Sequence, residues 1–69
     1  MEEVKLPELP RLRALRDAAL LTQDELAEKA KVAVSTLRRI EAGHPARIKT
    51  VRLLAAALDV KPQELIRKP

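Results

Sequence analysis

From about residue 10 to residue 67, apolar positions recur three and four apart, the period of an α-helix, and no segment reads as a strand. Thr22 is a good N-cap for a helix starting at Gln23, and Glu25, three residues past the cap, completes a capping box. Leu26, Ala27 and Ala30 then share one helix face. Lys31-Val32-Ala33 breaks the register, after which Leu37 and Ile40 give the next helix a narrow apolar edge that Gly43 terminates at a C′ position. Pro10 suits the first position of an earlier helix. Val51, Leu54, Ala55 and Leu58 fall at i, i+3, i+4 and i+7 of a later one, and Pro62 opens a short last helix after the turn Asp59-Val60-Lys61. The pattern predicts an all-α chain with helices over 10–19, 23–30, 34–42, 49–58 and 62–67 and a loop over 43–48.

Residues 1–9 are expected to form a tail, extended or loosely packed through Leu6 and Leu9, ahead of one domain over 10–67. The expected core is Leu12, Leu15, Leu21, Leu26, Leu37, Ile40, Val51, Leu54, Leu58, Val60 and Leu65, with Ala27, Ala30 and Ala55 where helices approach closely. With only Leu37 and Ile40 facing inward, the helix over 34–42 is held by one edge and turns the other to water. A helix with its side chains is about 10–12 Å across and the major groove of B-DNA is about 12 Å wide, so this exposed edge has the size to enter duplex DNA. Its residues have the chemistry as well. Arg39 can fork onto guanine O6 and N7, Ser35 and Thr36 can donate or accept, and Val34 can lie against a thymine methyl. An ordinary amphipathic helix with a solvated outer face is the plain alternative, and periodicity alone does not separate the two.

Charge narrows the choice. The 69-residue chain carries 14 basic and 10 acidic residues, a net +4. From Lys31 to Arg52 there are six basic residues (Lys31, Arg38, Arg39, Arg47, Lys49, Arg52) against Glu41 alone, a local +5, and the acids gather near the N-terminus and early in the second helix. The positive side therefore coincides with the third helix and the loop after it, where a phosphate backbone would lie. The chain has no Phe, Tyr or Trp, so it lacks the stacking platforms that usually grip single strands, and duplex DNA is the better partner. It also has no Cys and only one His, His44, in the loop before Pro45. Neither a nucleophile–base pair nor a metal site assembles from that inventory, so no enzyme, metal or cofactor is expected. The acidic N-terminus interrupted by Pro7 and Pro10 does not read as a signal peptide, no run of 18 apolar residues predicts a membrane span, and a cytoplasmic protein is expected.

Many residues spread over 11–66 follow one known pattern. They are Leu12, Leu15 and Arg16; Leu21-Thr22-Gln23 with Glu25-Leu26-Ala27; Ala30 and Val32; and Ser35-Thr36-Leu37 with Arg39-Ile40-Glu41-Ala42-Gly43. Thr50-Val51, Leu54-Ala55, Leu58, Val60 and Glu64-Leu65 complete it. In these positions the chain resembles the lambda-repressor/Cro-like helix-turn-helix family, also called XRE-type. The resemblance implies a five-helix lambda-repressor-like DNA-binding domain acting as a transcriptional regulator, a repressor working as a dimer on a two-fold operator with its third helix in the major groove.

Carried over residue by residue, the resemblance implies base contacts from Val34, Ser35, Thr36, Arg38 and Arg39, phosphate contacts from Gln23, Arg47 and Lys49, and a structural ion pair between Arg16 and Glu41. Rival readings remain open: Arg38 and Arg39 can pair with surface acids, Arg47 and Lys49 can be solvated loop residues, and Gln23 can be a plain helix start. Leu53, Val60 and Ile66 form a candidate homodimer patch. The alternative function is an antitoxin or adaptor that uses the same fold mainly to bind a toxin or other protein partner. The chain departs from the pattern at Leu20 and Lys31, where relatives often carry Gly, and at Ala33, where a capping Ser or Thr is usual. A left-handed conformation at Lys31 is expected to cost about 1 kcal/mol, and the missing cap about 0.5–2 kcal/mol more.

Overall fold

The computed structural model describes residues 5–68, and those residues form five α-helices and no strand. They are α1 (Leu12–Ala18), α2 (Gln23–Ala30), α3 (Val34–Glu41), α4 (Ile48–Leu58) and α5 (Pro62–Ile66). Thr22 caps α2 as its sequence requires: its hydroxyl accepts from the Glu25 backbone N–H at 3.1 Å, and the Glu25 carboxylate accepts from the Thr22 N–H at 2.9 Å. None of the other four helices has a side-chain cap.

α1 starts later than Pro10. The Leu12 N–H bonds the Leu9 carbonyl at 3.1 Å, and Arg11 has φ −101° and ψ 2°. Those values make residues 9–12 a type I turn with Pro10 at its second position, the other setting that suits the fixed φ of proline.

The first four helices end in the same way. In each, a residue with positive φ follows the last turn, its N–H bonds a carbonyl three residues back, and the next N–H bonds one five residues back. This is the Schellman ending. The positive-φ residues are Leu20 (59°), Lys31 (60°), Gly43 (108°) and Asp59 (56°), so the single glycine of the chain serves one of the four corners. At three of them the following residue, Leu21, Val32 or Val60, packs against the core. Burying that apolar side chain offsets the strain of the left-handed residue before it.

The core runs through all five helices. Leu12, Leu26, Leu37, Leu54 and Leu65 are fully buried, and Ala27, Ala30, Ile40, Val51 and Ala55 join them. Leu15, Leu21, Leu58 and Val60, expected inside, are partly buried at its edge. Leu9, Ala46 and Ala57 are buried without having been expected to be. Leu9 thus anchors residues 7–9 to the domain, where a loose tail was anticipated. The Pro7 carbonyl also accepts the Ala46 N–H at 2.8 Å, while Leu6 stays exposed.

Candidate nucleic-acid interface

α3 is seated by Leu37 and Ile40, its only buried residues. Ser35, Thr36, Arg38 and Arg39 are exposed on the other side and Val34 is half-buried at the first turn. The last residue of the helix fixes its orientation. The Arg16 guanidinium, from α1, donates from Nε to Glu41 Oε2 at 2.7 Å and from Nη2 to Glu41 Oε1 at 3.0 Å, while its Nη1 donates to the Leu21 carbonyl at 2.9 Å. One side chain therefore ties α1, the α1–α2 corner and the end of α3 together. The Arg16 and Glu41 side chains are 11% and 6% exposed, so the pair is largely withdrawn from water. Burial pushes the Glu41 carboxyl up, but hydrogen bonds from Arg16 and Gln23 and the charges of Arg16 and Arg13 outweigh it and hold the carboxyl below its ordinary range. The hydrogen bond to Glu41 raises the already high Arg16 value.

Gln23, at the first turn of α2, extends this network. Its amide nitrogen donates to Glu41 Oε1 at 3.1 Å and its amide oxygen accepts from Arg38 Nε at 3.4 Å. Arg38 also lies 3.9 Å from Asp24, an exposed and weak pairing. The Gln23 and Arg38 side chains are thus partly engaged within the protein, whereas Arg39 has no carboxylate partner among the ion pairs of the described residues.

Arg47 and Lys49 are exposed at the start of α4, where Arg47 is the N-cap residue. Between Arg47 and α3 lies an open cleft of about 340 Å³, with Thr36, Arg39, His44, Arg47 and Thr50 in its walls. Thr50, a lining residue, had a place in the family pattern but no expected role at the site. It reaches the cleft only because the 43–47 loop brings the first turn of α4, a helix that packs on α2 and α5, near the end of α3, and no local pattern carries that. Of the candidate dimer residues, Leu53 and Val60 are half-buried against the core and Ile66 is 40% exposed. Ile48 (46%) and Leu20 (89%) are further exposed apolar residues.

Residues 12–65 match the helix-turn-helix family. The chain belongs to that family, in its XRE-type branch. Its members are DNA-binding proteins of transcription regulation, and the second helix of the motif here is α3. The fold also matches the crystal structure of the restriction-modification controller protein C.AhdI from Aeromonas hydrophila, with a TM-score of 0.76 and 38% identity over 80% of this chain and 85% of that one. Comparison with curated proteins gives no match. Within the family pattern the departures at Leu20 and Lys31 are real left-handed corners, and Ala33 leaves α3 without a side-chain cap. Among the described residues there is no cluster of three metal-ligating side chains, and no helix is long and apolar enough to cross a membrane.

Proposed function

We propose that this helix-turn-helix protein is a sequence-specific transcriptional repressor of the cytoplasm that binds duplex DNA as a dimer on a two-fold operator, with α3 in the major groove and no catalytic activity. The observation that carries this reading is a polar α3 face, Ser35, Thr36 and Arg39, left open to solvent on a helix locked at its other end by Arg16 and Glu41. Arg39 would read guanine, Ser35 and Thr36 base edges, and Val34 a thymine methyl; Arg38 would reach a base on leaving Gln23. Arg47, Lys49 and the N-terminus of α2 at Gln23 would hold phosphates on either side. The likeness to a restriction-modification controller supports regulation as the role and makes promoters of such systems the first targets to test.

The test is selection from randomised duplexes followed by binding isotherms at several salt concentrations. A symmetric recovered site, and log affinity falling with log salt by about 0.9 per neutralised phosphate, are expected. Failure to bind any duplex at low salt would overturn the proposal and leave a protein-binding role for the fold.

A further inference from the structure

The loop between α3 and α4 has two sides, and they face different parts of the molecule. One side opens into the cleft, with His44, Ala46 and Arg47 in its wall. The other side is backed by residues 7–9. Ala46 is 2% exposed and shares the core with Leu9, 3% exposed, and its N–H donates to the Pro7 carbonyl at 2.8 Å. Among the described residues this is the one backbone hydrogen bond that ties residues 44–47 to a segment outside the two flanking helices. A small second hollow, bordered by Glu8, Leu9, Pro10, Arg13, Ile40, Glu41 and Gly43, lies beside the same contact, and Ile40 borders both spaces. The loop itself has little to hold it. It begins at Gly43 with φ 108°, where an added Cβ would meet nothing within 4 Å, and α4 starts without a side-chain cap. The far end of the N-terminal segment is fixed independently. The Arg11 N–H meets the Leu65 carbonyl at 3.4 Å, and Arg11 Nη1 donates to Glu64 at 3.0 Å.

We propose that residues 7–9 are part of the DNA-binding apparatus: Leu9 and the Pro7 carbonyl are positioning groups that hold the 43–47 loop so that Arg47 stands where a DNA phosphate passes. This rests on the reading of Arg47 as a phosphate contact. The ends of the loop are tied to α3 and α4, where the His44 N–H bonds the Arg39 carbonyl at 3.1 Å and the Arg47 carbonyl accepts the Val51 N–H at 3.0 Å, but its middle is held by residues 7–9. Released there, the loop would let Arg47 shift, and binding would then have to order it. Docked against Leu9, the loop has Arg47 pre-placed. Base reading by α3 is expected to depend less on this segment, because Leu37 and the Arg16–Glu41 pair seat that helix along with Ile40, which borders the hollow beside Leu9.

The experiment measures the salt dependence of duplex binding, well below the melting temperature, for the wild-type chain and for Arg47→Ala, Leu9→Ala and the double variant. Loss of the Arg47 contact lowers the salt slope by about 0.9 per bound copy, about 1.8 for a dimer on a two-fold site, so that the ratio of Kd at 200 mM to Kd at 50 mM salt falls about 12-fold there and about 3.5-fold on a half-site. Arg47→Ala and Leu9→Ala are each expected to show this fall, the double variant no more than either, and the preference for selected over random duplex to stay unchanged. Leu9→Val, a milder change, serves should Leu9→Ala not fold. In it the Ala46 amide should exchange with solvent faster while α2 and α4 amides keep their protection, a local loosening that general destabilisation does not produce. A wild-type slope retained in both Leu9 variants overturns the proposal, and so does an unchanged slope in Arg47→Ala. Absence of salt-dependent binding by the wild-type chain overturns the DNA-binding reading instead.

Discussion

Leu20, Lys31 and Asp59 adopt a backbone conformation that disfavours L-residues by roughly 1–2 kcal/mol, with aspartate the best tolerated. Leu20 is the clearest case, because its side chain is 89% exposed and takes nothing from the core. Leu20→Gly should therefore stabilise the domain by about 0.5–1 kcal/mol after the larger entropy of an unfolded glycine is counted, raising Tm by several degrees in a calorimetric scan. An unchanged or lower Tm would show the corner to be unstrained. Gly43→Ala should do the opposite, by about 1–2 kcal/mol, since its φ of 108° is the only obstacle to a Cβ there. At this scale the sequence was only partly legible. A left-handed Lys31 follows from the resemblance, which puts glycine there, but Asp59 lay unnoticed in what read as an ordinary turn. Functional roles divide at the same scale. Arg39→Ala should cost about 1–3 kcal/mol on the selected site and relax base preference, whereas Lys49→Ala should weaken binding evenly across sequences. Equal losses on selected and random duplex for Arg39→Ala would remove it from base reading.

Helices were the most legible level, because each depends on a local repeat. α2 was readable to both ends, since a capping box and a register break are sequence-local signals. α1 was not, because Pro10 fits a helix start and a type I turn equally well, and the choice is made by Leu9 docking against a loop far along the chain. Ala46 was missed for the same reason: burial of a loop alanine is set by what folds over it. Two predictions belong to how elements are joined. α3 begins at Ala33 with no side-chain cap, so Ala33→Ser should stabilise it by about 1 kcal/mol, seen as a higher midpoint in urea. The α1–α3 joint depends on the ionised Glu41. Its folded carboxyl lies below the ordinary value, so its stabilisation is complete above the unfolded value of about 4.3 and disappears as pH falls through the folded one. The urea midpoint should then drop on acidification below about pH 4.5, and Glu41→Gln should flatten that drop while lowering stability at neutral pH. A wild-type midpoint flat from pH 6 to pH 3 would deny the pair its role.

For the whole molecule the arrangement is polar. The face carrying α3 and the 43–47 loop is basic, and the candidate pairing residues Leu53, Val60 and Ile66 lie on α4, on the turn after it and on α5. A single domain of this size covers little DNA, and the proposed two-fold operator would add a second copy about one helical turn, 34–36 Å, away. The α4–α5 patch suits a two-fold contact, because a self-complementary interface there leaves both α3 helices free, with Leu53, Val60 and Ile66 at its apolar centre and Arg52, Lys61 and Arg67 at its rim. Ile66 is the residue on which to test it. At 40% exposure in a short terminal helix it contributes little to the core, so Ile66→Glu should leave Tm nearly unchanged. If the patch pairs two copies, sedimentation should show the wild-type chain moving from monomer to dimer with concentration and Ile66→Glu staying monomeric. On DNA the same variant should bind an isolated half-site as well as the wild type does, and lose its advantage on a full two-fold site. A variant that still dimerises, or that loses half-site and full-site binding alike, would place the subunit contact elsewhere.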